Sequence, residues 1–193
     1  MQNNSIYISG YFDDEDLEVL NEYEKELADM NVSLFKRNLK GGIYNSALDF
    51  VDLEVLMFSY ELIKSFAFSG SYDIIKHMIL KLWDTTKKFC GEKLPFTVGL
   101  SGIPTINGTE NIKCKIYGWL SKKQKEKVIE KTFELAKQIE EHQYELMKRS
   151  IYYNAFNAHV FSYDNEKEVL SEIDIEKEVK KKIEGQKNKD EGV

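Results

Sequence analysis

One stretch constrains the fold more than any other. Residues 96–120 read FTVGLSGIPTINGTENIKCKIYGWL. Ile112, Cys114, Ile116 and Leu120 alternate with Lys113, Lys115, Tyr117 and Trp119. A period of two with one apolar and one polar set marks a strand with a packed face and a wet face. Upstream, Phe96, Val98 and Leu100 alternate in the same way and supply an antiparallel partner. A two-residue turn at Asn107-Gly108 would set Leu100 against Lys115 and Val98 against Tyr117, apolar against polar. A slip of one residue exchanges faces and repairs the match. The sequence therefore predicts a longer loop or a bulge around Pro104–Glu110, not a minimal hairpin.

The N-terminal part reads as a β-α-β unit. IYISGYF (6–12) is β-rich and ends near Gly10, and NVSLFKR (31–37) is a second strand. Between them DDEDLEVLNEYEKELADM carries an apolar stripe of Leu17, Leu20, Leu27 and Met30. Asp13 or Asp14 can cap it, with further acids on the positive end of the dipole. A right-handed crossover makes these two strands parallel. After a loop at 38–49, FVDLEVLMFSYELIKSFAF (50–68) is apolar almost all round and predicts one buried helix. SGS (69–71) breaks it, and 72–89 restarts as an amphipathic helix with Ile75, Met78, Ile79, Leu82 and Trp83 on one face.

Ser121 and Gln124 form a capping box. Neither Gly nor Pro interrupts 122–156, which predicts a helix about 50 Å long. Val128, Thr132, Leu135, Ile139, His142, Leu146, Arg149 and Tyr153 give it a weak heptad. From about 162 charge dominates and the aromatics disappear after Tyr163. The resulting division is an α+β sheet domain at 1–120, a long helix at 121–160 that packs on the sheet or projects, and a charged tail at 161–193, partly helical or disordered. The fold class is α+β: a four-stranded mixed sheet in β-α-β-α-α-β-β-α order, helices mainly on one face, plus the long C-terminal helix.

Composition narrows the function classes. The net charge is −6, and Arg37 and Arg149 are the only arginines among 27 basic residues, which argues against nucleic acid as the main partner. Two cysteines, Cys90 and Cys114, are no disulfide framework. The N-terminal residues lack a secretory pattern and the most apolar run, 55–70, contains Glu61 and Lys64. A cytoplasmic protein outside the membrane is expected.

No constellation compels a reaction. His142 with Glu141 and Glu145 gives half of a carboxylate-bridged metal site, but no second helix supplies matching ligands, so neither metal nor cofactor is expected. Arg149 and His159 resemble the pairs of ribonuclease-type helical toxins, but their spacing is longer and the surrounding pattern is α+β, so the competing reading is surface or interface residues; His142 is a third suspect. The wet face Lys113, Lys115, Tyr117 and Trp119 is the best candidate partner or ligand surface, together with Leu146 and Arg149 on the long helix. The competing reading of that face is that another helix covers Tyr117 and Trp119.

IYISG (6–10), SGSYDIIKHMILKLW (69–83) and FTVGL…NIKCKIYG (96–118) follow one another in an order that resembles the effector-associated constant component family of bacterial conflict systems. The resemblance covers roughly 5–120 and is one of pattern; the long helix and charged tail depart from it. It implies a non-enzymatic adaptor beside an effector, and it supplies no catalytic residues. The expected function is accordingly a protein-binding module, with the small enzyme or toxin built on Arg149, His159 and His142 as the alternative. A homodimer or other protein contact is expected through Leu135, Ile139, Leu146, Met147, Ile151, Tyr152 and Phe156 of the long helix.

Overall fold

A computed structural model describes residues 4–40, 54–68, 72–86, 95–149, 157–178 and 180–181. Seven strands form one mixed sheet in the order β2-β1-β3-β4-β5-β6-β7. In chain order the elements are β1 (Ser5–Gly10), α1 (Asp14–Asp29), β2 (Ser33–Asn38), β3 (Glu54–Ser59), α2 (Tyr60–Phe68) and α3 (Tyr72–Thr86). There follow β4 (Phe96–Thr105), β5 (Gly108–Ile116), α4 (Lys122–Glu140), β6 (His159–Asp164) and β7 (Val169–Glu172). Residues 175–178 are helical again.

The β-α-β unit forms as its sequence dictates. Asp13 caps α1: its carboxylate accepts from the Asp16 amide, and the Asp16 carboxylate accepts from the Asp13 amide, each at 2.9 Å. β1 and β2 pair in parallel. β3 is a correction to the four-stranded sheet. EVLMFS lies inside the run read as one helix, yet it pairs antiparallel with β1 and parallel with β4. A short, fully apolar run suits a central strand as well as a buried helix, because burial on both faces erases the period.

β4 and β5 pair antiparallel, and here too the expectation needs correction. The turn is tight: Thr105 pairs with Gly108 around Ile106 and Asn107. The slip is absorbed within β4, between Leu100 and Ile103. Gly102 takes φ 76 there, a left-handed value that costs glycine little, and its amide donates to Asn111 Oδ1 at 2.9 Å. Leu100 consequently pairs with Ile112 and Val98 with Cys114, apolar with apolar.

The long helix is the largest correction. Ser121 and Gln124 cap α4 as read, but the helix stops at Glu140. His142 adopts φ 58. The His142 amide donates to Ile139 O at 3.1 Å and the Gln143 amide to Gln138 O at 2.7 Å. These two bonds are a Schellman stop with a left-handed residue at the position after the cap. Leu135 and Ile139 are buried in the protein's own core, so the projecting interface loses its basis; Ile151, Tyr152, Tyr153 and Phe156 lie outside the described residues. Beyond 157 the chain returns to the sheet. β6 pairs parallel with β5, and β7 antiparallel with β6, in a region read as charged tail.

Register assigns the faces. Leu34, Ile6, Phe58, Leu100, Ile112 and His159 lie side by side across the sheet, and Ile8, Leu56, Val98, Cys114, Phe161 and Glu172 form the next row. The strand residues of the main core all belong to this face, packed with Leu20 and Leu27 of α1, Ile75 and Trp83 of α3, and Val128 and Ile139 of α4. The helices thus form one layer over one face. No helix among the described residues is long and apolar enough to cross a membrane.

Candidate functional site

The two core rows change character at one end. Next to Ile112 in its row stands His159, next to Phe161 stands Glu172, and one step before Ile112 in phase along β5 stands Glu110. All three are buried on the helix side. They lie where α4 has ended and residues 143–149 run on as a strap. Tyr144 of the strap packs on Phe161 with ring centroids 5.9 Å apart, and Leu146 packs against the core.

His159 organises the cluster. Its Nδ1 lies 2.7 Å from Glu172 Oε1 and its Nε2 lies 3.5 Å from Glu110 Oε2. The remaining oxygens serve the strap. Arg149 Nη2 donates to Glu110 Oε1 at 2.6 Å, and the Met147 amide donates to Glu172 Oε2 at 3.0 Å. Each carboxylate therefore spends one oxygen on the imidazole and the other on the strap. Asn111 Nδ2 donates to Asn157 O at 2.8 Å and ties the hairpin to the start of β6.

Two clefts flank this cluster. One, of about 560 Å³, lies between the β4–β5 turn and the strap, with Ile106, Asn107, Leu146 and His142 on its border. The other, of about 320 Å³, lies toward Asp174 and Glu176. Met147, Lys148, Arg149 and His159 border both. Ile106 is 81 % exposed and Met147 47 %.

Chemically the set is a recess whose carboxylate oxygens each face a donor or an imidazole nitrogen. A general base needs a ring nitrogen aimed at substrate. Here both nitrogens of His159 face carboxylates, and Glu172 fixes the ring through Nδ1. Among the described residues no group of three or more His, Cys, Asp or Glu is placed to hold a metal ion. A second polar group sits nearby, where Tyr60 Oη and Lys64 Nζ donate to Glu140 at 2.8 and 2.7 Å and anchor the end of α4 to α2. Lys64 holds the Glu140 carboxyl below its ordinary range, and burial followed by Glu140 itself pushes the Tyr60 phenol up.

The residues singled out from sequence divide in two. Arg149, His159, His142 and Leu146 come together on one cleft. Lys113, Lys115, Tyr117 and Trp119 do not make one wet strand face. β5 ends at Ile116 and Gly118 turns the chain with φ 73, so Tyr117 and Trp119 belong to a loop, where Trp119 is 71 % exposed. Lys115 is buried and Lys113 half-buried, on the face away from the helices. Cys90 lies outside the described residues, whereas Cys114 is buried beside Thr132, its thiol pushed up to about 12 by desolvation. Sequence reading missed Glu110 and Glu172. For Glu110 a signal existed, since it shares the inward phase of Ile112 and Cys114. No protein-family model, curated protein or solved structure matches the chain.

Proposed function

We propose that this protein is a cytoplasmic binding module without catalysis of its own, an adaptor for an effector of a bacterial conflict system, working through the cleft between the β4–β5 turn and the strap. The observation that carries this reading is the make-up of that cleft. Its border offers apolar side chains to solvent, Ile106 above all, while the polar groups of its floor already have internal hydrogen-bond partners. An apolar rim over satisfied polar groups suits a protein partner, because burying the rim gains area without stranding a charge. The acidic balance favours a protein over a nucleic acid, and the sequence pattern of the segments 6–10, 69–83 and 96–118 supplies the family resemblance.

The test is co-expression with the product of the neighbouring gene. The two proteins are expected to co-purify, and Ile106→Glu or Met147→Glu should abolish the complex with thermal stability unchanged, as both side chains are well exposed. A complex that survives both substitutions, or none at all, would overturn the reading. One observation favours the second reading, a small nuclease-like enzyme or toxin: Arg149, His159 and His142 border a single cleft. Growth arrest on expression, relieved by His159→Ala or Arg149→Ala, is what that reading requires.

A further inference from the structure

The strap makes its two polar ties in a way that describes a ligand. A guanidinium meets Glu110 Oε1, and a backbone amide two residues earlier meets Glu172 Oε2. His159 holds the second oxygen of each carboxylate and so presents the other to whatever lies above. Residues 145–149 belong to no helix or strand, so the amide and the guanidinium that make the two ties come from one short irregular stretch. Met147 and Arg149 are about half exposed, at 47 % and, for the Arg149 side chain, 51 %. The Arg149 side chain thus reaches its buried acceptor from the solvent side, the side from which another guanidinium can approach the same carboxylate. The strap also separates the two clefts, since Met147, Lys148 and Arg149 border both, and lifting it joins them over His159.

We propose that the Glu110–His159–Glu172 recess is a receptor for an arginine-bearing segment of a partner, and that Met147–Arg149 fills it in cis as a displaceable strap. The inference rests on the binding-module reading and specifies what the module recognises. The incoming segment replaces both ties, its guanidinium on Glu110 and its amide on Glu172, while the strap swings away from the joined cleft. The buried carboxylates are never left uncovered, which keeps the exchange from stranding a charge.

The test uses the full chain and a fluorescent peptide, acetyl-Glu-Leu-Met-Lys-Arg-Ser-amide, which copies residues 145–150. Arg149→Ala weakens the cis competitor, so this variant should bind the peptide about tenfold more tightly than the wild type. A peptide with citrulline in place of arginine should bind neither protein. In the wild type, saturating arginine peptide should strip the Met147 amide of its protection from hydrogen exchange. Equal affinity for wild type and variant, or equal binding of the citrulline peptide, would overturn the proposal. Should Arg149→Ala fail to fold, the wild-type exchange measurement with the two peptides decides alone. Peptide binding without an effector complex would leave the receptor standing and remove the adaptor; a complex indifferent to the peptide would do the reverse.

Discussion

At the scale of residues, one backbone torsion decides where the chain goes after α4. His142 at φ 58 ends α4 and sends the strap across the sheet. A side chain in that conformation costs about 1 kcal/mol that glycine avoids. His142→Gly should therefore stabilise the protein by about 0.5–1 kcal/mol in denaturant titration, and loss of stability would contradict the cap. Cys114 offers a pH test. Its thiol ionises near 9.0 when unperturbed and at about 12 in the fold, because burial disfavours the thiolate. Between these values the folded state keeps a proton that the unfolded chain releases. The contribution is therefore fully present below pH 9 and is lost as pH rises toward 12. Alkylation at Cys114, read by peptide mapping, should follow global unfolding at pH 8; rapid labelling of native protein would contradict its burial. Residue by residue, Arg149 and His159 could be singled out from the sequence, but not the Glu110 through which they meet. Glu110 was legible only through the phase of its strand. Glu172 was not legible, since it stands among many acids and only the pairing of β7 turns it inward.

At the scale of elements, the parts with a clean period were readable and the parts without one were not. α1, α3 and the start of α4 carry caps or stripes that name their faces. β3 carries no period because it is central, and the bulge at Gly102 let the β4–β5 turn stay tight. The end of α4 was hidden because its stop uses a histidine instead of a glycine. β6 and β7 were hidden by length and charge, being short strands that depend on β5 for their register. They are nonetheless part of the core: Phe161 is fully buried, and one such side chain contributes about 1.5–3 kcal/mol. A chain ending at residue 158 loses it, along with Tyr163, and leaves β5 as an edge. That chain should lose its cooperative thermal transition and bind a hydrophobic dye. Unfolding at the midpoint of the full chain would instead restore a self-sufficient domain at 1–120.

At the scale of the whole molecule, a layer of helices covers one face of a seven-stranded sheet and stops short at one corner. There the core rows end in His159 and Glu172, a strap replaces the helix, and an apolar turn tip overhangs the gap. The candidate surface thus follows from where α4 ends. We propose that the partner binds at this corner. The most direct measurement is a methyl NMR titration of isoleucine- and methionine-labelled protein with the neighbouring gene's product. The expected result is that Ile106 and Met147 shift or broaden first, while Ile74, which is 54 % exposed on α3, stays in place. Unchanged Ile106 and Met147 with shifts at Ile74 would place the partner on the helix layer and contradict it.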